Sequence, residues 1–133
     1  MRLVFGEKDA PYEEARVVVL PVPYDLSLSF LPGARRGPEA ILLASRELEP
    51  FLLELGAAPE EVGIHAAEPV PWVAGMAEES HRLIREEALK HLRAGKWLVA
   101  LGGDHSVTHP LVQAHREALG EFSLLHVDAH ADL

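Results

Sequence analysis

The sequence predicts an α/β fold, a three-layer α/β/α arrangement around a mainly parallel sheet. Three observations predict it. Apolar runs at Ala15 to Val22, Trp97 to Leu101 and Phe122 to Val127 are too continuous for strands with one wet face. Stretches with apolar residues at helical spacing lie between them. Strand, helix, strand, helix, strand at these intervals marks βαβ units, which close through right-handed crossovers into a parallel sheet covered by helices.

The first run, ARVVVLPV, is β-branched and bounded by prolines, as a buried strand would be. Pro23 to Arg36 follows as a long loop rich in Pro, Gly and Ser, and long loops are often functional. Gly37 and Pro38 open a helix with proline in its first turn. Its expected stripe is Ile41, Ala44, Ser45 and Leu48, and Pro50 stops it near Glu49. The pattern weakens from Phe51 to Trp72, where short strands are expected at Phe51 to Leu55 and around Val62 to His65. Val73, Met76, Ala77, Leu83, Ile84, Ala88 and Leu92 keep helical spacing up to Ala94, with Gly95 as the C-terminal cap. The strand WLVAL then leads into Gly102-Gly103-Asp104-His105-Ser106. A helix runs on to about Leu119, with Pro110 in its first turn and Gly120 past its end. The last strand, Phe122 to Val127, passes directly into Asp128-Ala129-His130-Ala131-Asp132.

A length of 133 residues suits one domain, and neither an internal repeat nor a linker divides it. Hydrophobic residues at 48% and charged residues at 25% are globular proportions that exclude disordered and low-complexity classes. The absence of cysteine excludes disulfides, Cys-ligated zinc, iron–sulfur clusters and a thiol nucleophile, so any metal must use His, Asp or Glu. Twelve Lys plus Arg against 21 Asp plus Glu give a formal charge of −9, the wrong sign for a nucleic-acid partner and the right one for a small cationic ligand. No apolar run approaches the roughly 20 residues that cross a membrane, and Met1 to Glu14 lacks the hydrophobic region of a signal peptide, so a cytoplasmic protein is expected. Asparagine is absent, glutamine occurs once, and Arg outnumbers Lys nine to three, a bias that fits a thermophile.

In open α/β sheets, functional groups gather beyond the carboxyl ends of the strands. The GGDHS and DAHAD segments both fall there, so neighbouring strands would carry His105 to the edge that holds Asp128. A two-residue period points Asp128, His130 and Asp132 to one side. Carboxylates and imidazoles converging from two segments that contain no Lys or Arg are costly to bury, and a divalent cation resolves the conflict. Mixed oxygen and nitrogen donors suit Mn²⁺, Fe²⁺, Co²⁺ or Zn²⁺. An aspartate such as Asp128 has two oxygens and can bridge two ions. A lone Asp-x-His-x-Asp is as readily a solvated loop, and the second histidine motif is what favours metal.

The other candidates are read as structural. Asp104 is expected to cap its loop or accept from an imidazole, and His126 to be a hydrogen-bonded core histidine. His109 is placed at the surface; His81, His91 and His115 are structural or solvated. Arg35 and Arg36 serve loop packing or subunit salt bridges.

With these residues in hand, the sequence resembles the N-terminal half of a ureohydrolase of the arginase/agmatinase family. The match is carried by VPYDLSLSFLPGARRGPEAI (Val22 to Ile41), GGDHS (Gly102 to Ser106) and DAHAD (Asp128 to Asp132). PGARRGP followed by GGDHSVT is nearer the agmatinase branch. The resemblance implies an arginase-like fold and a cofactor of two Mn²⁺ ions. It also implies hydrolysis of a guanidino compound, agmatine foremost, to urea and an amine. His105 and Asp132 would bind one ion, His130 the other, and Asp128 both; Asp132 would also be catalytic, orienting the attacking hydroxide. A homo-oligomer, trimer or hexamer, is implied as well. Arginase, guanidinobutyrase and formimidoylglutamase activities are the sibling readings. A metal-dependent deacetylase of related fold and a non-catalytic fragment are the rivals. Residues 1–133 are expected to be the N-terminal part of a single domain, with the remaining metal ligands following Leu133.

Overall fold

The computed structural model describes residues 4–27, 31–49 and 51–131. Three strands, β1 (Val17–Val22), β2 (Ile64–Ala66) and β3 (Trp97–Gly102), form a parallel sheet in the order β2-β1-β3. Three helices, α1 (Gly37–Ala44), α2 (Ala77–Arg93) and α3 (Thr108–Leu119), supply the connections. This is the expected α/β class.

The central strand β1 explains the composition of its segment. Parallel strands flank it on both sides and its last five residues are buried, so both faces need apolar side chains. On one face Leu20 and Val22 pack with Ile84, Ala88, Leu89 and Leu92 of α2 and with Val107 and Ala114 from the α3 side. Each fully buried Leu or Ile there stabilises the fold by about 1.5–3 kcal/mol. α2 starts at Ala77, four residues later than its periodicity suggests. Ser80 Oγ accepts from Val73 N at 2.9 Å and bonds Met76 O at 2.9 Å, turning Val73–Met76 into a lead-in instead of a helical turn. Gly95 ends the helix as expected: its φ is 73°, its N donates to Leu92 O, and Lys96 N donates to His91 O.

Three expectations need correction. The buried stripe of α1 is Pro38 and Leu42, continued by Ser45, while Ile41 and Leu48 are exposed. The helix is rotated so that Leu42 rather than Ile41 meets the sheet. Phe51 to Leu55 is not a strand; it is a turn closed by one antiparallel bridge, Leu52 to Ala57, with Gly56 at φ 63°. Phe122 to Val127 belongs to no strand of the sheet among the described residues, and Leu124, Leu125 and Val127 are exposed.

His91 is buried on α2, where Tyr12 Oη lies 2.9 Å from Nδ1 and Glu87 Oε1 3.2 Å from Nε2, with His65 and Lys90 nearby. Burial pushes its pKa down, against the opposing pull of Glu87. The folded state therefore prefers neutral imidazole. As pH falls below about 6.5 the unfolded chain takes up the proton first, and stability falls until the lower folded pKa is passed. Thermal melts between pH 7.5 and 5 are expected to show a loss of a few degrees that His91→Gln reduces. An unchanged slope in the variant would refute the assignment.

No helix among the described residues is long and apolar enough to cross a membrane.

Candidate metal centre

β1 and β3 run in register to the same edge, with Val22 opposite Gly102, so the segments that follow them meet. A Cβ on Gly103 would stand 1.8 Å from Tyr24 O. Only glycine allows that approach. It lets Asp104 N donate to Tyr24 O at 2.8 Å. Asp104, in extended backbone, then caps the short 3₁₀ turn His105–Val107: its Oδ1 accepts from Ser106 N at 3.0 Å and from Ser106 Oγ at 2.5 Å. Its Oδ2 accepts from Ser27 N at 3.0 Å. Burial pushes the Asp104 carboxyl up, but the bonds from Ser106 and Ser27 outweigh it and hold the group below the usual carboxylate range. Tyr24, buried beneath, has its phenol pKa raised by burial and by the Asp104 charge. Asp104 is thus the loop-capping group expected from sequence.

The turn projects His105 outward. Its ring lies 5.6 Å from that of His126, and His126 Nε2 lies 3.9 Å from Asp128 Oδ2. One donor atom from each of His105, His126 and Asp128 falls within 4.8 Å of the other two. His126 is therefore not the core histidine expected: its side chain is 37% exposed and stands beside Asp128. The sequence signal that could have found it is the two-residue spacing, which puts it on the face of Asp128. The Asp128 carboxylate accepts from His130 N at 2.8 Å, and that bond, ahead of the nearby imidazoles, holds it below the usual carboxylate range. His130 Nδ1 lies 3.3 Å from the same oxygen, with the ring 81% exposed and outside the three-donor group. Asp132 lies outside the described residues.

Two imidazoles and a carboxylate at this spacing, in segments without Lys or Arg, form a donor set that fits one divalent transition-metal ion of the manganese-to-zinc series. Hard all-oxygen ions fit it less well.

The loop after β1 is bonded to Asp104, the neighbour of His105 in the chain. Asp25 is buried, its Oδ2 accepting from Gly33 N at 2.9 Å and its Oδ1 lying 3.5 Å from Arg35 Nη1. The Arg35 guanidinium also sits 5.6 Å from the Trp72 ring centroid. Arg35 is thus engaged in loop packing, as expected. Sequence reasoning missed Asp25, because a single aspartate in a Pro- and Gly-rich loop has no periodicity to mark it. Of the remaining histidines, His109 is exposed beside Gln113, and His115 Nδ1 bonds Leu111 O. His81, placed on the polar face of its helix, turns towards the site: its Nε2 is 3.4 Å from Ser106 Oγ and its ring 5.3 Å from Tyr24.

Comparison with known proteins adds a family to this geometry. A family model described as the arginase family matches residues 15–133. The N(1)-aminopropylagmatine ureohydrolase of Thermus thermophilus is 97% identical over all 133 residues, which cover 45% of that protein. The agmatinase of Bacillus anthracis is 36% identical, over 98% of this chain and 45% of its own. Among solved structures, a putative agmatinase from Clostridium difficile superposes with a TM-score of 0.84 at 29% identity, covering 90% of this chain and 44% of that one. The chain spans a little under half the length of the curated relatives it matches.

Proposed function

Because the chain belongs to the arginase family, we propose that it is the N-terminal part of a single domain whose whole protein hydrolyses a guanidino compound to urea and an amine with bound manganese. The observation that carries this reading is the meeting of His105 with His126 and Asp128 beyond the carboxyl ends of the strands. His105, Asp128, His130 and Asp132 are the residues that would hold the manganese, with His126 beside Asp128. Manganese, when bound, supplies a Lewis acid and lowers the pKa of water for attack on the guanidinium carbon. Asp132 accepts a proton of the attacking water at its carboxylate and passes it to the leaving amine. The GGDHS turn sets the direction of His105 through the cap from Asp104. The net charge of −9 draws a cationic guanidinium in.

For the substrate we favour N1-aminopropylagmatine, for which the 97% identical relative is named, with agmatine itself as the alternative. Both carry the same guanidino head and differ in the distal amine. The reading includes a cytoplasmic homo-oligomer, trimeric or hexameric, that acts on small molecules and binds neither nucleic acid nor membranes.

The test is urea release by the full-length protein with Mn²⁺ and, in parallel, N1-aminopropylagmatine, agmatine and arginine, beside acetate release from an acetyl-lysine peptide. Urea from an agmatine-type substrate is expected. No urea from any of the three would end the hydrolase reading, and acetate release would replace it with the deacetylase one.

A further inference from the structure

Outside the proposed ligands, one buried carboxylate joins two chain segments at the site. Asp104 is 8% exposed, and its two oxygens serve different segments: Oδ1 takes Ser106 N and Oγ of the turn, and Oδ2 takes Ser27 N of the loop after β1. The backbone of Asp104 repeats the link, donating to Tyr24 O at 2.8 Å. His105 is the next residue. A shift of the Tyr24–Ser27 segment is therefore transmitted to His105 across one peptide unit, and the reverse. That segment also leads from the central strand of the sheet, and Asp25 within it holds Gly33 N and Arg35 farther along the loop. The start of the loop after β1 and the edge that carries His105 are thus tied into one unit.

From this geometry we infer that Asp104 is a positioning residue: it holds the Tyr24–Ser27 segment of the loop after β1 in register with His105, so that this segment meets the guanidino substrate. The inference rests on the proposed hydrolase reading. Asp104→Asn keeps the shape but presents an N–H₂ to one of the two N–H groups, Ser27 N or Ser106 N. A buried donor then faces a donor. Ser27→Pro breaks the same link from the exposed side, deleting the N–H without touching the core. Ser106→Ala removes one donor of the turn and none of the loop.

In the full-length protein with Mn²⁺, Asp104→Asn and Ser27→Pro are each expected to raise KM for the guanidino substrate about tenfold. In both variants kcat should stay within about threefold and manganese content unchanged. The double variant should add little to either, because both remove one link. Ser106→Ala should keep KM within about twofold. Manganese loss in Asp104→Asn would place its effect at His105 rather than at the loop and overturn the inference, as would unchanged KM in both loop variants. Amide exchange at Ser27 gives a readout that needs no turnover: it should accelerate in Asp104→Asn. If the wild type releases no urea, the hydrolase reading fails by itself. Unaltered Ser27 protection would overturn the tether whether or not the enzyme turns over.

Discussion

Asp128→Asn in the full-length protein is expected to lower manganese content and to cut urea turnover by well over the roughly 10- to 100-fold typical of outer-shell changes. The carboxylate is the only anionic member of the three-donor group among the described residues, and it organises its own segment by accepting from His130 N. Asparagine preserves an acceptor for that N–H but removes the charge that draws a divalent ion. His126→Asn is the comparison that discriminates. His126 stands 3.9 Å from Asp128 and 5.6 Å, ring to ring, from His105. Loss of about one manganese per site in this variant would add His126 to the ligands. Full occupancy would leave it a neighbour and return the ligand set to His105, Asp128, His130 and Asp132. Mass spectrometry of the metal-loaded protein, with urea release on the same samples, reads both. Full metal and full activity in Asp128→Asn would remove the metal-centre assignment.

Gly103→Ala is expected to be strongly destabilising, having the closest backbone contacts of the described glycines. The added methyl would lie 1.8 Å from Tyr24 O and 2.9 Å from Tyr24 N, contacts with backbone that no rotamer change relieves. The two segments must separate, losing the bond from Asp104 N to Tyr24 O and exposing or orphaning the Asp104 carboxylate. Overpacking and a broken buried hydrogen bond together cost about 3 kcal/mol or more. Gly95→Ala supplies the control. Its φ of 73° is strained for alanine, but nothing lies within 4 Å of the new Cβ, so about 1–2 kcal/mol is expected. Denaturant midpoints of the two variants measure the difference. A Gly103→Ala protein as stable as Gly95→Ala would show that the loop after β1 and the GGDHS turn are not packed as described.

Much of this was legible in the order of the residues. Continuous apolar runs identified β1 and β3; for β1 the reason is that a strand covered on both faces has no polar position to spare. Glycine past the end of α2 and proline in the first turn of α3 marked their termini, since those residue types meet local backbone demands. The donor types of GGDHS and DAHAD were legible for a similar reason: residue chemistry and two-residue spacing are local properties. His126 and Asp25 were misjudged or missed because their roles depend on neighbours distant in sequence. His126 meets His105 across 21 positions, and Asp25 is read only once Gly33 and Arg35 fold back onto it.

The sequence by itself determined the α/β class, the glycine stop of α2 and which side chains are capable of holding a cation. Each is settled by periodicity or by chemistry within a few residues. The tertiary structure alone decided which face of α1 is buried, that Phe122 to Val127 joins no described strand, and that Asp104 ties two loops together. Burial and long-range hydrogen bonds depend on what packs opposite.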